Sequence, residues 1–330
     1  MNNHSGIDIS IIAPLYNEEQ VFSQLIERLQ SVIDKTPFAC EVILVNDGSS
    51  DNTAALIEEI CLKDNRFTGI LLSRNHGHQL AVTAGLASVR GKQGAMIIDG
   101  DLQDPPELVN EFYKLLEQGY DVIYAIRKNR KESFLKKVAY AVYYRLQKKI
   151  SSFNIPIDSG DFSMLSRRVV DNMSMMPEQS RYLRGMRAWV GFKQIGYEYD
   201  RDERHAGETK YSWSKLFELA FNGIFNFSDF PVRIISRLGL ITIFFSVIYF
   251  AYNLYRKIYY NDVPQGFTAT ILAIIMFSGV QLLSLGLIGE YVLRIYNQVR
   301  NRPLFIVDKI IQDGRESSEI QSSNLEKRSN

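Results

Sequence analysis

Met96-Ile97-Ile98-Asp99-Gly100-Asp101-Leu102-Gln103-Asp104-Pro105-Pro106-Glu107 decides how this chain is read. The apolar run predicts a buried strand, and it stops at two carboxylates spaced by one glycine. A strand end holds such groups on a rigid platform. Carboxylate oxygens suit a hard divalent cation, Mg²⁺ or Mn²⁺. Such a cation can bridge a diphosphate and offset its charge as it departs. Asp and Gly are also ordinary turn residues, so the competing reading is a solvated turn.

The neighbouring segments weigh against the turn. Ile7 to Ala13, Glu41 to Val45, Phe67 to Leu72, Ala95 to Ile98 and Val122 to Ala125 read as strands. Between them, Glu18 to Asp34, Thr53 to Leu62, Gln79 to Val89 and Pro106 to Gln118 read as helices. The first of these carries Val21, Leu25, Ile26 and Leu29 on one face. Alternating strands and helices predict an α/β fold, a Rossmann-like and mostly parallel sheet with helices on both faces. Ligands of such sheets bind outside the carboxyl ends of the strands. Polar clusters fall there five times: Tyr16-Asn17-Glu18, Asp47-Gly48-Ser49, Arg74-Asn75, Asp99-Gly100-Asp101 and Arg127. The sequence has neither a Gly-x-Gly-x-x-Gly after the first strand nor a Walker-type Gly-Lys-Ser/Thr, which disfavours a nicotinamide enzyme or an ATPase.

The chain has 330 residues and a formal net charge of +1, so overall charge makes no case for a nucleic-acid partner. Cys40 and Cys61 lack metal-ligand spacing and fit packing roles in a reducing compartment. The polar N-terminus, Met1 to Asp8, reads as lacking a cleavable signal peptide. Leu238 to Tyr255 and Phe267 to Gly289 are uncharged apolar runs, each about long enough to cross a hydrocarbon core of roughly 30 Å. Two buried helices of a large soluble core are the competing reading. Arg233, Arg237, Arg294, Arg300 and Arg302 flank the pair on its outer sides, which places both termini in the cytoplasm.

The expected organisation is therefore a cytoplasmic catalytic domain over 1–230 and a membrane domain over 231–307, with spans near 235–256 and 267–291. A polar tail over 308–330 is expected to be disordered. The stretch near 131–150 mixes basic and apolar residues and that near 212–228 is apolar and aromatic; both predict interfacial helices, with a core-packed helix as the alternative for the first. Glu290 and Arg294 are spaced as a helical ion pair. Small residues in the second span (Ser278, Gly279, Ser284, Gly286, Gly289) favour a homo-oligomer of unstated size.

Ile12-Ala13-Pro14-Leu15-Tyr16-Asn17-Glu18-Glu19 resembles the opening signature of family 2 glycosyltransferases. Val45-Asn46-Asp47-Gly48-Ser49-Ser50-Asp51 resembles their second signature, and Asp99 to Pro106 their metal motif. Followed by two apolar spans, the whole resembles the polyprenyl-phosphate branch, with its bactoprenol glucosyltransferases, dolichol-phosphate mannose synthases and aminoarabinose-type transferases. The resemblance covers about residues 7 to 307.

What it implies is a GT-A fold, a nucleotide-sugar donor and a polyprenyl phosphate acceptor at a membrane. Pro14, Tyr16, Glu18, Val45 and Asp47 would line the nucleoside pocket. Asp99, Asp101 and Gln103 would face the metal, with Gly100 near the diphosphate and Arg127 on phosphate. Arg204 and Lys210, in a stretch resembling a donor-covering loop, would close over the diphosphate. Two departures stand out. Gly100 replaces a common alanine, and Ser163 stands where relatives usually carry arginine after a segment like Asp158 to Phe162. Asp158 and Asp161 are therefore acceptor-side candidates, with a satisfied turn before a helix as the equal alternative. The Gln-x-x-Arg-Trp motif of processive synthases is absent.

The implied reaction is inverting, and a phosphate acceptor needs little help from a general base. UDP-glucose is the preferred donor, with UDP-N-acetylglucosamine, UDP-galactose and GDP-mannose open. A transferase for another lipid, such as diacylglycerol, and a non-catalytic nucleotide-sugar-binding scaffold are the alternatives.

Overall fold

The computed structural model describes residues 6–127, 159–200 and 266–317, together with helical positions between 239 and 259. Its strands form a nine-stranded sheet. β1 (Ile9–Leu15), β2 (Cys40–Asn46), β3 (Phe67–Leu72) and β4 (Gly94–Ile97) are its parallel centre, in the order β4-β1-β2-β3. They are buried along their whole length, which is why they read as unbroken apolar runs.

Helices connect these strands. α1 (Glu19–Lys35) buries Val21, Phe22, Leu25, Ile26, Leu29, Val32 and Ile33, the stripe predicted from helical spacing. Leu29 is fully buried, so Leu29→Ala would cost about 2–5 kcal/mol. α2 (Thr53–Lys63) follows β2, and α3 (His78–Ala87) follows β3. A short 3₁₀ turn with Pro106 at its start leads into α4 (Val109–Glu117).

On one flank β5 (Val122–Arg127) lies between β6 (Ser159–Ser166) and β7 (Gln194–Tyr199), and β6 pairs antiparallel with β4. α5 (Arg167–Met175) and α6 (Leu183–Trp189) separate β6 from β7. The stretch at Gly160 and Asp161 is thus strand, not a turn before a helix. Antiparallel pairing with β4 carries it past the carboxyl end of that strand.

The second compact unit contains α7 (Phe267–Val299), 33 residues and about 50 Å at 1.5 Å per residue. Its segment Met276–Val299 is long and apolar enough to cross a membrane. Leu282, Leu283, Leu285 and Ile288 are exposed along it. The expected pair forms, with Arg294 Nε donating to Glu290 at 2.8 Å. In the region of the other expected span, the described helical positions expose Ile241, Phe244, Phe245, Val247 and Ile248. The interfacial stretches at 131–150 and 212–228 lie outside the described residues.

The tail expectation is corrected over residues 308–317, and residues 318–330 lie outside the described residues. β8 (Val307–Gln312) pairs antiparallel with β3, and β9 (Arg315–Ser317) pairs with β8. Ile310 and Ile311 are buried, and Asp313-Gly314, both with positive φ (52° and 70°), make the two-residue hairpin turn. A β-branched run before Asp-Gly carried that signal, and the polar composition beyond it masked it.

Candidate active site at the strand ends

β1 to β5 all end on one edge of the sheet, and β6 begins there. The loops after β1 and β2 are laced together. Asn17, left-handed at φ 54°, donates its N–H to Ser49 Oγ at 3.0 Å and accepts the Ser50 N–H at 2.8 Å. Glu18 donates its N–H to Thr53 Oγ1 at 3.0 Å, and Tyr16 stands exposed beside it. Pro14 is buried in β1. Val45 is fully buried, packed towards Gly85 of α3, so its side chain supports this edge from beneath and offers a ligand no surface.

Asp47 binds the next loop. Its carboxylate accepts the N–H of His76 at 2.7 Å and of Gly77 at 3.0 Å. Burial raises the carboxyl above its ordinary value, although both amide bonds oppose the shift. Gly48 has φ 63°, and a Cβ there would lie 2.3 Å from the carbonyl carbon of Arg74. Only glycine lets these two backbones approach so closely.

The Asp99-Gly100-Asp101 turn sits against the end of β1. A Cβ on Gly100 would meet Leu15 Cδ2 at 2.4 Å and the Pro14 carbonyl oxygen at 3.0 Å. Asp101 Oδ1 accepts the Gln103 N–H at 3.2 Å, and Leu102 takes a left-handed φ of 61°. Gln103 and Asp104 are buried behind it. Tyr199 donates its hydroxyl to Asp104 at 2.7 Å and accepts from Arg127 Nε at 3.4 Å. Burial opposes the Arg127 charge, but Tyr199, Asp104 and Asp99 outweigh it and raise the guanidinium above its ordinary value.

A second ionic group adjoins this turn. His78 opens α3, with Nε2 3.4 Å from Asp161 and 3.9 Å from Asp99. Arg184 of α6 grips Asp161 with two bonds, 2.8 and 3.1 Å, and Gln79 donates to it at 3.3 Å. Burial favours the neutral acid, but Arg184 and His78 hold Asp161 well below the usual carboxylate range. Burial likewise opposes a charged imidazole, yet Asp161 and Asp99 raise His78 to about 9. Ser163 is fully buried and donates to the Asp161 carbonyl at 2.9 Å, so the guanidinium beside Asp161 comes from Arg184. Arg187, buried one turn on, donates to the Gly160 carbonyl at 3.3 Å.

One edge therefore gathers Asp99, Asp101, Gln103, Arg127 and Asp161 beside the loops of Tyr16, Glu18 and Asp47. Sequence reasoning missed His78, Gln79, Arg184 and Arg187. The signals were a helix opening on His78 after a glycine and basic residues at every third position from Arg181 to Arg187. Asp158, Arg204 and Lys210 lie outside the described residues. Among the described residues no three His, Cys, Asp or Glu side chains group as a cation site. Asp99 and Asp101 nonetheless fit Mg²⁺ or Mn²⁺ in kind, as hard oxygen donors to an ion that completes its shell with water and phosphate.

The sequence model for glycosyl transferase family 2 matches residues 10–173. The uncharacterized glycosyltransferase YkcC of Bacillus subtilis (strain 168) is 43% identical over 310 residues, 94% of this chain and 95% of that protein. An SfII prophage-derived bactoprenol glucosyl transferase of Shigella flexneri is 34% identical over 302 residues, 91% of this chain and 97% of that one. With both relatives matched almost end to end, the chain belongs to glycosyl transferase family 2, and its GT-A-like α/β domain is that of a glycosyltransferase.

Proposed function

We propose that the protein transfers one sugar from UDP-glucose to a polyprenyl phosphate at the cytoplasmic face of a membrane. The observation that carries this reading is the near end-to-end match to a bactoprenol glucosyl transferase, which takes in the apolar C-terminal segment as well as the sheet. The geometry is consistent with it, because carboxylates and a guanidinium meet at one strand-end edge.

In this reading Pro14, Tyr16, Glu18, Val45 and Asp47 shape the nucleoside pocket, the first and fourth from below. Asp99 and Asp101, with Gln103, hold Mg²⁺ or Mn²⁺, and the Gly100 backbone lies along the diphosphate. The bound cation supplies charge compensation for the departing nucleoside diphosphate. Arg127, held charged by Tyr199 and Asp104, adds a planar donor for phosphate. Arg204 and Lys210 close over the donor. An acceptor phosphate oxygen forms a bond to the anomeric carbon as the bond to the nucleoside diphosphate breaks, with inversion. That oxygen is already anionic, so the work left to the protein is positioning and electrostatics.

Asp161 is the acceptor-side candidate within the described residues, and its carboxylate is occupied by Arg184, Gln79 and His78. It shapes that side of the cleft and is not available as a base. Asp158 is the other acceptor-side candidate. In this reading the apolar spans and the interfacial stretches anchor the chain at the membrane that holds the lipid phosphate, with both termini cytoplasmic and copies of the chain associating through the small-residue span.

The test is incubation of the purified protein with polyprenyl phosphate, divalent metal and a panel of labelled nucleotide sugars. Label moving from UDP-glucose into a mild-acid-labile lipid, with release of UDP, is the expected result. Label in an acid-stable glycolipid would replace the acceptor, and binding without turnover across the panel would replace catalysis with a scaffold role.

A further inference from the structure

The chain leaves α7 at Val299 and within seven residues is bonded to the loops of the strand-end edge. Three bonds fasten this return segment. Gln179 Nε2 donates to the Arg302 carbonyl at 2.9 Å. Ser73 donates its N–H to the Ile306 carbonyl at 3.0 Å, and Ile306 donates its own N–H to His76 Nε2 at 3.4 Å. His76 is the residue whose backbone N–H, with that of Gly77, holds the Asp47 carboxylate.

Burial and the neighbouring Arg74 keep the His76 imidazole below its ordinary pKa, against a weaker pull from Asp47, which leaves Nε2 able to accept. The loop cannot shift alone, because Gly48 lies against the backbone of Arg74 and Asn75. Beyond it, β8 is zipped to β3 with Ile310 and Ile311 buried, and Arg90 pairs with Asp313 at 3.3 Å.

We infer that the segment after the membrane helix, residues 302–306, is a working part of the donor pocket, acting through His76 as a positioning residue for Asp47. This rests on the reading of Asp47 as part of the nucleoside pocket. The effect is entropic. A loop with left-handed Gly77 (φ 96°) at its end samples many conformations unless pinned, and each unpinned state must be reordered when the nucleotide binds. The return segment does that ordering beforehand. The transmembrane helix is therefore followed by a strap without which nucleotide affinity falls, whatever the helix itself contributes to lipid access.

The experiment uses full-length protein in detergent. Binding of UDP, GDP, CDP and ADP with Mg²⁺ is measured by calorimetry, and KM and kcat for the nucleotide sugar that turns over are measured beside it. His76→Ala removes the acceptor and leaves the backbone bonds to Asp47. It is expected to weaken the best-bound nucleotide and raise donor KM about fivefold to tenfold, roughly the worth of one hydrogen bond, with kcat near wild type. His76→Gln, whose side-chain oxygen can reach the place of Nε2, should recover much of that loss. Ile306→Pro removes the donor from the other side and should match His76→Ala. Asp313→Ala removes the partner of Arg90 and puts alanine at a positive φ in the turn, which loosens the hairpin away from the pocket and should lower thermal stability with donor KM within about twofold of wild type. Wild-type KM in both His76→Ala and Ile306→Pro overturns the inference while leaving the donor pocket standing. Equal KM losses in Asp313→Ala and His76→Ala also overturn it, by making the effect one of general stability. If wild-type protein binds none of the four nucleotides, the donor-pocket reading itself fails, and this inference with it.

Discussion

Asp99 and Asp161 flank the same imidazole and differ in what else surrounds them. The Asp161 side chain keeps 7% of its surface open and is gripped by Arg184, while Asp99 keeps 27%. Two carboxylates a few ångströms from one histidine thus have separate uses. One is spent within the protein, tying β6 to α3 and α6. The other lies beside Asp101 at the strand-end edge and keeps more of its surface open. A list of acidic residues cannot make this distinction, because it depends on which cations the fold brings to each carboxylate.

Breaking the open side should cost the most activity. Asp101→Ala is expected to lower turnover about a thousandfold, because it removes one of the carboxylates proposed to hold the cation. Wild-type-like turnover with divalent metal present would remove Asp101 from the proposed site.

Breaking the closed side should cost stability instead. Asp161→Ala leaves Arg184 and His78 without their buried partner and is expected to cost about 3 kcal/mol, read from denaturant unfolding. The pH dependence has a definite sign. The Asp161 carboxyl is held below its unfolded value of about 4, so its contribution is present above that pH and is lost as pH falls through the folded value. Wild-type stability should therefore decline more steeply than that of Asp161→Asn on acidification below pH ~4. Parallel curves would mean that the Arg184 pair contributes nothing.

Two glycines sharpen the same contrast with smaller effects. Gly48→Ala puts a methyl into the Arg74 backbone at positive φ and should cost about 2 kcal/mol, with weaker nucleotide binding because Asp47 and its loop move. Gly100→Ala meets the movable end of Leu15 and the Pro14 carbonyl oxygen, so a loss of about 1 kcal/mol with activity within a fewfold of wild type is expected. A larger loss at Gly100 than at Gly48 would reverse the ranking of the two contacts.

Much of the catalytic unit was legible because its signals are local. The buried parallel strands read as apolar runs, α1 as a helical stripe, and the strand ends as polar punctuation. Cys40 and Cys61 are buried free thiols, as expected, with burial raising them to about 11 and about 12. β6 was harder to see, because Asp158-Ser159-Gly160-Asp161 has turn composition and becomes strand only through pairing with β4 and β5. β8 and β9 were hidden for a related reason. The partner that makes them strands is β3, more than two hundred residues earlier in the chain.

What the sequence determined by itself was the alternating core, the metal-motif turn and the family, since residue order and hydrophobic period specify these without reference to distant partners. Tertiary structure alone decided the use of each charged group. Arg184 finds Asp161, His78 lies between two carboxylates, and the chain beyond the apolar helix returns to His76. These pairings join residues 21 to 230 positions apart, and what a charge can bind is settled by such contacts and not by its neighbours in sequence.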